Sequence, residues 1–435
     1  MKVGTAQINI SPQPGIDLAG FAVRAQPCQR VLDPLWVRVL YLEEGAEKLL
    51  WIHGDVLAFD DTTVSHLRDW VVKELGIPAT KVVVAATHTH SGPATIQLTG
   101  CGKVDAGYVV WLQDKFREAV WVAVENIETC HLMSTEGECR LGVDRLNSAF
   151  NHTDPRVGAF GWRRKDGSYK AVMLSYSMHP VSLKEPLASG DWPGETARFL
   201  TAALPGRPVV IVSSGACGNI NPPQVGVTPE QTYQWGRHIA QSVLSGLLSA
   251  PLDIDEPAAS ALKMTTVTVD LPLESWSGSG IEKYADECLA DAAGHREFGV
   301  QFPKAIETWR TSMLQRHQRS EPPHLQAVLG ILSLGRATVL TVNAEIFSRF
   351  TDLVSSEADG PVYTMGCANG MIGYLASAEA YLEHGYEVSW SMLFYNKPRL
   401  QKGGLELLAE QARRLLERGP AGKSSHNASI DSFHV

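Results

Sequence analysis

Four apolar, β-branched runs in this chain stop abruptly against side chains that can bind metal or move protons, and this junction constrains the fold more than any other feature. Residues 81–86 run into Thr87-His88-Thr89-His90-Ser91-Gly92-Pro93, and residues 171–178 into His179-Pro180. Residues 208–213 lead to Ser214-Gly215-Ala216-Cys217-Gly218-Asn219-Ile220-Asn221-Pro222, and residues 337–342 to Asn343-Ala344-Glu345. Short apolar runs of this kind read as buried strands. Strands that end in polar clusters fit an open α/β sheet, where the crevice beyond the strand ends is the usual ligand site.

Helical patterns alternate with these strands, which excludes separate all-α and all-β halves. The pattern predicts helices over 61–75, 108–128, 194–203, 230–248, 280–298, 303–317 and 405–418. The first has acidic residues at its start and Gly76 then Pro78 at its end, as helix boundaries require. The expected fold class is α/β, with a large mixed β-sheet flanked by helices. One domain is expected over residues 1–418, with 253–324 as an inserted or edge subregion and 419–435 as a flexible tail. No internal repeat is visible in the sequence.

Composition narrows the function classes. Hydrophobic residues make up 44% and charged residues 20% of the 435, ordinary globular usage. The formal charge is -9 and no run of lysines or arginines occurs, so the electrostatic footprint of a nucleic-acid binder is missing. The amino terminus lacks a signal-peptide core, and no stretch approaches eighteen apolar residues, so a cytoplasmic protein without stable membrane association is expected. Seven scattered cysteines without a C-x-x-C pair fit reduced thiols. Oligomeric state is not readable.

Two histidines from different strands plus a glutamate meet the needs of a zinc site, which takes nitrogen or anionic oxygen ligands. On an extended chain His88 and His90 would project to the same side. Residue chemistry alone leaves metal, acid–base and structural roles open for these clusters. Cys217, in a Gly-rich turn, raises a nucleophile reading alongside one of simple packing.

At these residues the chain resembles the catalytic domain of the neutral/alkaline, non-lysosomal ceramidase family, in blocks running from the amino terminus to about Glu387. The T-H-T-H-S-G-P block stands at Thr87 to Pro93, and H-P-x-S-hydrophobic at His179-Pro180-Val181-Ser182-Leu183. Ser189-Gly190-Asp191 with Gly194 follows, then Asn343-Ala344-Glu345 where the family usually has Pro-Gly-Glu. A late block reads as Asn369, Tyr374, Ser377, Glu379, Tyr381 and Tyr386-Glu387.

The resemblance implies zinc ligands at His88, His179, Glu345 and Tyr374, with His90 facing substrate and Arg145 helping to bind or polarise it. It also implies departures. Asn221 replaces the serine that contacts the reacting amide in the family, and Ala94-Thr95 replace its Gly-Gly after S-G-P. With no secretion signal and no immunoglobulin-like carboxyl-terminal domain visible, a soluble small-molecule substrate is expected rather than a membrane sphingolipid. The expected chemistry is hydrolysis of an amide by metal-activated water, with His90 as proton shuttle and Asn221 as an oxyanion donor. Ester or lactone hydrolysis at the same site, a non-catalytic binding role, and a thiol hydrolase through Cys217 are the competing expectations.

Overall fold

The computed structural model describes residues 1–146, 151–249, 262–295, 298–356 and 358–417. Residues 253–261, Asn147, the last position of the final predicted helix and the 419–435 tail lie outside the described residues. The described chain forms three consecutive units of one topology. The first holds β1 (Lys2–Asn9), β2 (Trp36–Glu44), β3 (Glu47–Gly54), α1 (Asp61–Leu75), β4 (Val82–Ala86) and α2 (Ala106–Glu125). The second holds β5 (His131–Glu138), β6 (Arg156–Arg163), β7 (Tyr169–Tyr176), α3 (Asp191–Ala203), β8 (Val209–Ser213) and α4 (Pro229–Ser249). The third begins with β9 (Leu262–Pro272), detours through α5 (Gly278–Asp291) and α6 (Phe302–Gln318), and returns to β10 (His324–Leu334) and β11 (Ala337–Val342). It continues through α7 (Arg349–Ser355), β12 (Val362–Met365), α8 (Tyr386–Ser389), α9 (Ser391–Tyr395) and α10 (Gly404–Glu417).

Each unit orders its four strands as in the sequence. The first two pairings are antiparallel and the last is parallel, crossing over through a helix. The mixed α/β architecture thus distributes its strands over three principal mixed sheets, with the two residues Glu128–Thr129 extending the first beside β1.

Period-two alternation explains why the strand sequences are apolar throughout. Leu49 and Trp51 of β3, Ala171 and Met173 of β7, and Ala337 and Val339 of β11 share one core between the three sheets. Their neighbours point the other way: Leu50 and Ile52 pack under α1 and α2, Val172 and Leu174 under α3 and α4, and Leu340 and Val342 under α7 and α10. Strands covered on both faces need apolar residues at every position. Trp51 and Trp162, each at 0% exposure, fill the shared centre, where truncation to alanine costs roughly 3–5 kcal/mol.

The structure shifts several boundaries, among them the start of α3, expected at 194 and found at Asp191. The helix expected over 108–128 ends at Glu125 because the Asn126 side chain instead bonds both ways to the Thr5 backbone, at 3.0 and 2.6 Å. The helix expected over 280–298 stops at Asp291, followed by a 3-10 turn at Ala292–Gly294, where glycine disfavours continuation. The strand expected over 171–178 ends at Tyr176. Within the expected subregion 253–324, β9 belongs to the third sheet, while α5 and α6 leave it. With α9 they build an aromatic layer (Phe302, Trp309, Phe394) against Ala19, Leu57 and Cys367, over the strand ends. No described helix is long and apolar enough to cross a membrane.

Candidate functional site

The site lies where the three units meet, and equivalent positions supply it. Two residues beyond β4, β8 and β12 stand His88, Gly215 and Cys367, each at positive φ (66°, 65° and 53°). Such a value is uncommon outside glycine and is held here by the surroundings. His88 N–H donates to Val56 O at 3.0 Å and Cys367 N–H to Ala344 O at 3.1 Å, the same bond in two units. The expectation that His88 and His90 alternate along an extended strand therefore fails, because β4 ends at Ala86 and His88 is left-handed. The kink still brings the two rings together, with centroids 5.1 Å apart.

His179 and Glu345 also match each other, each being the third residue beyond its strand, β7 and β11. In the first unit Leu57 takes this place, and its carbonyl accepts from His88 Nδ1 at 2.8 Å. His179 Nδ1 donates to Cys217 O at 2.7 Å, and His90 Nδ1 to Gly20 O at 3.1 Å. A carbonyl only accepts, so all three Nδ1 atoms carry their protons. Burial also pushes the His179 imidazole down to about 4 and that of His90 well below the usual range, so both are neutral near pH 7.

A neutral imidazole protonated at Nδ1 presents a lone pair at Nε2, and these Nε2 atoms face one another and a carboxylate. His88 Nε2 is 3.3 Å from His179 Nε2 and 3.2 Å from Glu345 Oε2, and His179 Nε2 is 2.8 Å from the same oxygen. Lone pairs and an anion gathered at 0%, 0% and 3% side-chain exposure repel one another unless a cation sits between them. Atoms bound about 2.0–2.1 Å from a tetrahedral zinc stand about 3.3 Å apart, so this donor set fits a metal ion. The ligand atoms of His88, His90 and His179 all lie within 4.8 Å of one another.

Around this point the remaining expected residues assemble. Tyr374 pairs in β-bridge register with Glu345 and lays its ring parallel to His179, centroids 6.3 Å apart. Arg145 sits 5.5 Å from the Tyr374 ring centre, pairs with Glu387 at 2.9 Å and donates to Gly218 O. Asn221 bridges back to Val143 near Arg145, and its buried Oδ1, like His90 Nε2, has no hydrogen-bond partner among the described residues. His90, Arg145, Asn221 and Tyr374 line one cavity of about 360 Å³, otherwise walled largely by apolar and aromatic side chains such as Phe21, Val181, Phe298 and Phe394.

Sequence reasoning missed two supports. Tyr395 OH donates to Glu345 Oε1, fixing the carboxylate from the side away from the imidazoles. Arg24 donates to His90 O at 2.8 Å while Gly20, at φ 98°, presses its backbone against the His90 ring. A Cβ at Gly20 would lie 2.4 Å from His90 Nδ1, so only glycine fits. Neither tyrosine nor arginine carries a sequence signal for this role, since each reaches its partner only through the fold. Cys217 is buried, and burial raises its thiol to about 12, which opposes a thiolate nucleophile. All seven cysteines are free and buried.

Fold and donor set together define a neutral-ceramidase-like α/β scaffold with a site able to hold a metal. The crystal structure of neutral ceramidase from Pseudomonas aeruginosa superposes with a TM-score of 0.73 at 16% identity, covering 98% of this chain and 76% of that one. A ceramidase structure described as complexed with C2 superposes at 0.71 with 15% identity, over 99% and 78% of the two chains. No family model matches the chain, and no curated protein matches it in sequence.

Proposed function

We propose that this protein is a zinc-dependent hydrolase that cleaves an amide bond in a small molecule. The observation that carries this reading is the meeting of His88 Nε2, His179 Nε2 and Glu345 Oε2 within 2.8–3.3 Å, each imidazole locked by a backbone carbonyl at Nδ1. Tyr374, beside Glu345 in register, completes the set that would hold the ion. A zinc ion held there supplies a water acidified toward a pKa of ~7 and polarises a carbonyl.

The chain's own residues do the rest. His90 turns its free Nε2 into the cavity, where it takes a proton from the attacking water and returns it to the departing nitrogen. Arg145, held by Glu387 and Gly218 O, and the Asn221 amide orient the carbonyl and stabilise its developing negative charge. The aromatic walls exclude water and hold the acyl portion. An ester or lactone of the same shape would react with less need for a proton on the leaving group, so paired amide and ester substrates compared by kcat/KM distinguish the two.

Elemental analysis tests the centre directly. Wild type should carry about one zinc per chain, and His88→Ala and Glu345→Ala should each lose it together with turnover of N-acyl amides. A zinc-supplied wild type that holds no metal would leave the scaffold as a binding protein.

A further inference from the structure

The 360 Å³ cavity does not stand alone. Ala22 and Val23 also line a second cleft of about 820 Å³, together with Gly299, Gln301 and Lys304. The two sides meet closely, since a Cβ on Gly299, at φ 75°, would lie 2.6 Å from Ala22 O. A molecule whose reacting group sits at His90 would continue into this cleft along the Ala22–Val23 lining that both spaces share.

The charge along that continuation is lopsided. Lys103 and Lys304 line the large cleft with Arg24, and Lys184 stands at the small cavity's mouth. Asp17 is the lone carboxylate lining either space among the described residues, its Oδ2 accepting the main-chain N–H of Lys103 at 2.9 Å, against three cationic side chains in the large cleft. Arg24 spends its guanidinium on the carbonyls of Ala19, His90 and Lys184. Lys103 and Lys304, both exposed, have no ion-pair partner among the described residues. Two ammonium groups without an ion-pair partner among the described residues thus line the cleft beside the site in a chain whose formal charge is -9. The polar lining (Gln26, Gln97, Gln301, Thr99) suits a hydrated group rather than a second hydrocarbon chain.

We propose that the substrate is an anionic N-acyl compound, its acyl portion in the aromatic cavity and its carboxylate or phosphate in the large cleft, selected by Lys103 and Lys304. This rests on the hydrolase reading above for its reaction, but not for its binding. Lysine acts as a point charge on either anion, without the planar fork that arginine would use to separate them.

The test compares an N-acylglycine, an N-acylaminoethyl phosphate and an N-acylethanolamine of equal chain length. Turnover is followed on zinc-loaded protein, and binding by calorimetry on metal-free protein. At low salt one or both anionic compounds should exceed the neutral alcohol by roughly tenfold in kcat/KM and in affinity, as two exposed charge pairs allow. Lys103→Ala/Lys304→Ala should erase that preference and leave the alcohol unchanged, and added salt should shrink it in wild type. Which anion gains more identifies the headgroup. Equal handling of acid and alcohol by wild type, a preference that survives in the double variant, or no binding of either anion overturns the proposal. Calorimetric preference for an anion, lost in the double variant without turnover of any amide, supports the selectivity and instead removes the hydrolase reading.

Discussion

Glu345 shows how one side chain can be set by contacts from opposite directions. Its Oε2 meets the imidazoles of His88 and His179, while its Oε1 accepts from Tyr395 OH, all at 3% side-chain exposure. Tyr395→Phe keeps the ring in its aromatic layer but strands Oε1 in a buried space. Loss of such a support typically costs 10–100-fold in metal affinity, so the variant should lose zinc to a competing chelator at correspondingly lower chelator concentration while its circular dichroism stays unchanged. Unaltered affinity would show that the phenol only packs. His88, His179, Glu345 and His90 were legible as chemistry-bearing residues because each follows an apolar strand. Tyr395 was not, because nothing within its own segment separates a supporting phenol from a core tyrosine. The reasoning about His88 and His90 also failed in part: alternation presumes extended backbone, and the strand ends two residues before His88.

At the level of elements, local signals were sufficient where the chain itself satisfies its backbone groups. Helix α1 begins at Asp60, whose carboxylate accepts from Thr63 N–H at 2.7 Å, and ends at Gly76, left-handed at φ 64° with its N–H on Val72 O. Its bounds, Asp61–Leu75, are those its pattern predicts. Asp60→Ala should lower stability by about 1 kcal/mol in urea unfolding and leave turnover untouched, because the cap lies outside the site. A loss near zero would mean that water or a neighbour replaces the cap. Strand β11, Ala337–Val342, was equally plain in the sequence. Where tertiary partners compete, the signal fails: Asn126 quits α2 to pair with Thr5, and β9 pairs along its whole length with β10 across two intervening helices.

Across the whole molecule, the second and third units are tied together near the site by a polar clamp. His152, of the second unit, meets Ser348 Oγ at 2.8 Å through Nδ1 and Asp352 Oδ2 at 2.5 Å through Nε2, both in the third. Asp144 accepts from His152 N–H and from the Asn219 amide, and Asn219 Oδ1 accepts from Ser348 N–H, so the clamp spans the segments bearing Arg145, Asn221 and Glu345. Asp352 raises the His152 pKa, and His152 lowers that of Asp352. The imidazole's contribution to stability is full below its unfolded pKa of about 6.5 and disappears as pH rises through its raised folded value. The carboxylate's contribution is present above about 3.9 and is lost as pH falls through its lowered folded value. The pair should therefore stabilise most between about pH 4 and 6.5. Because Asp352 is 42% exposed, screening limits the effect to under about 1 kcal/mol. Urea unfolding of wild type and His152→Asn across pH should show a gap in that window that narrows above it; a gap independent of pH would mark a packing effect alone. The sequence by itself determined that strands would be buried on both faces, that polar clusters would follow them, and that two histidines and a glutamate were placed to share a ligand, because hydrophobic period and local chain order are written in adjacent residues. The tertiary structure alone decided that these strands form three like units around a shared core, that a left-handed turn aims the His88 imidazole, and that Tyr395, Arg24 and Glu387 support Glu345, His90 and Arg145. A buried strand accepts many apolar residues, so its repeat leaves no sequence trace, and a support chosen by distance in space leaves none along the chain.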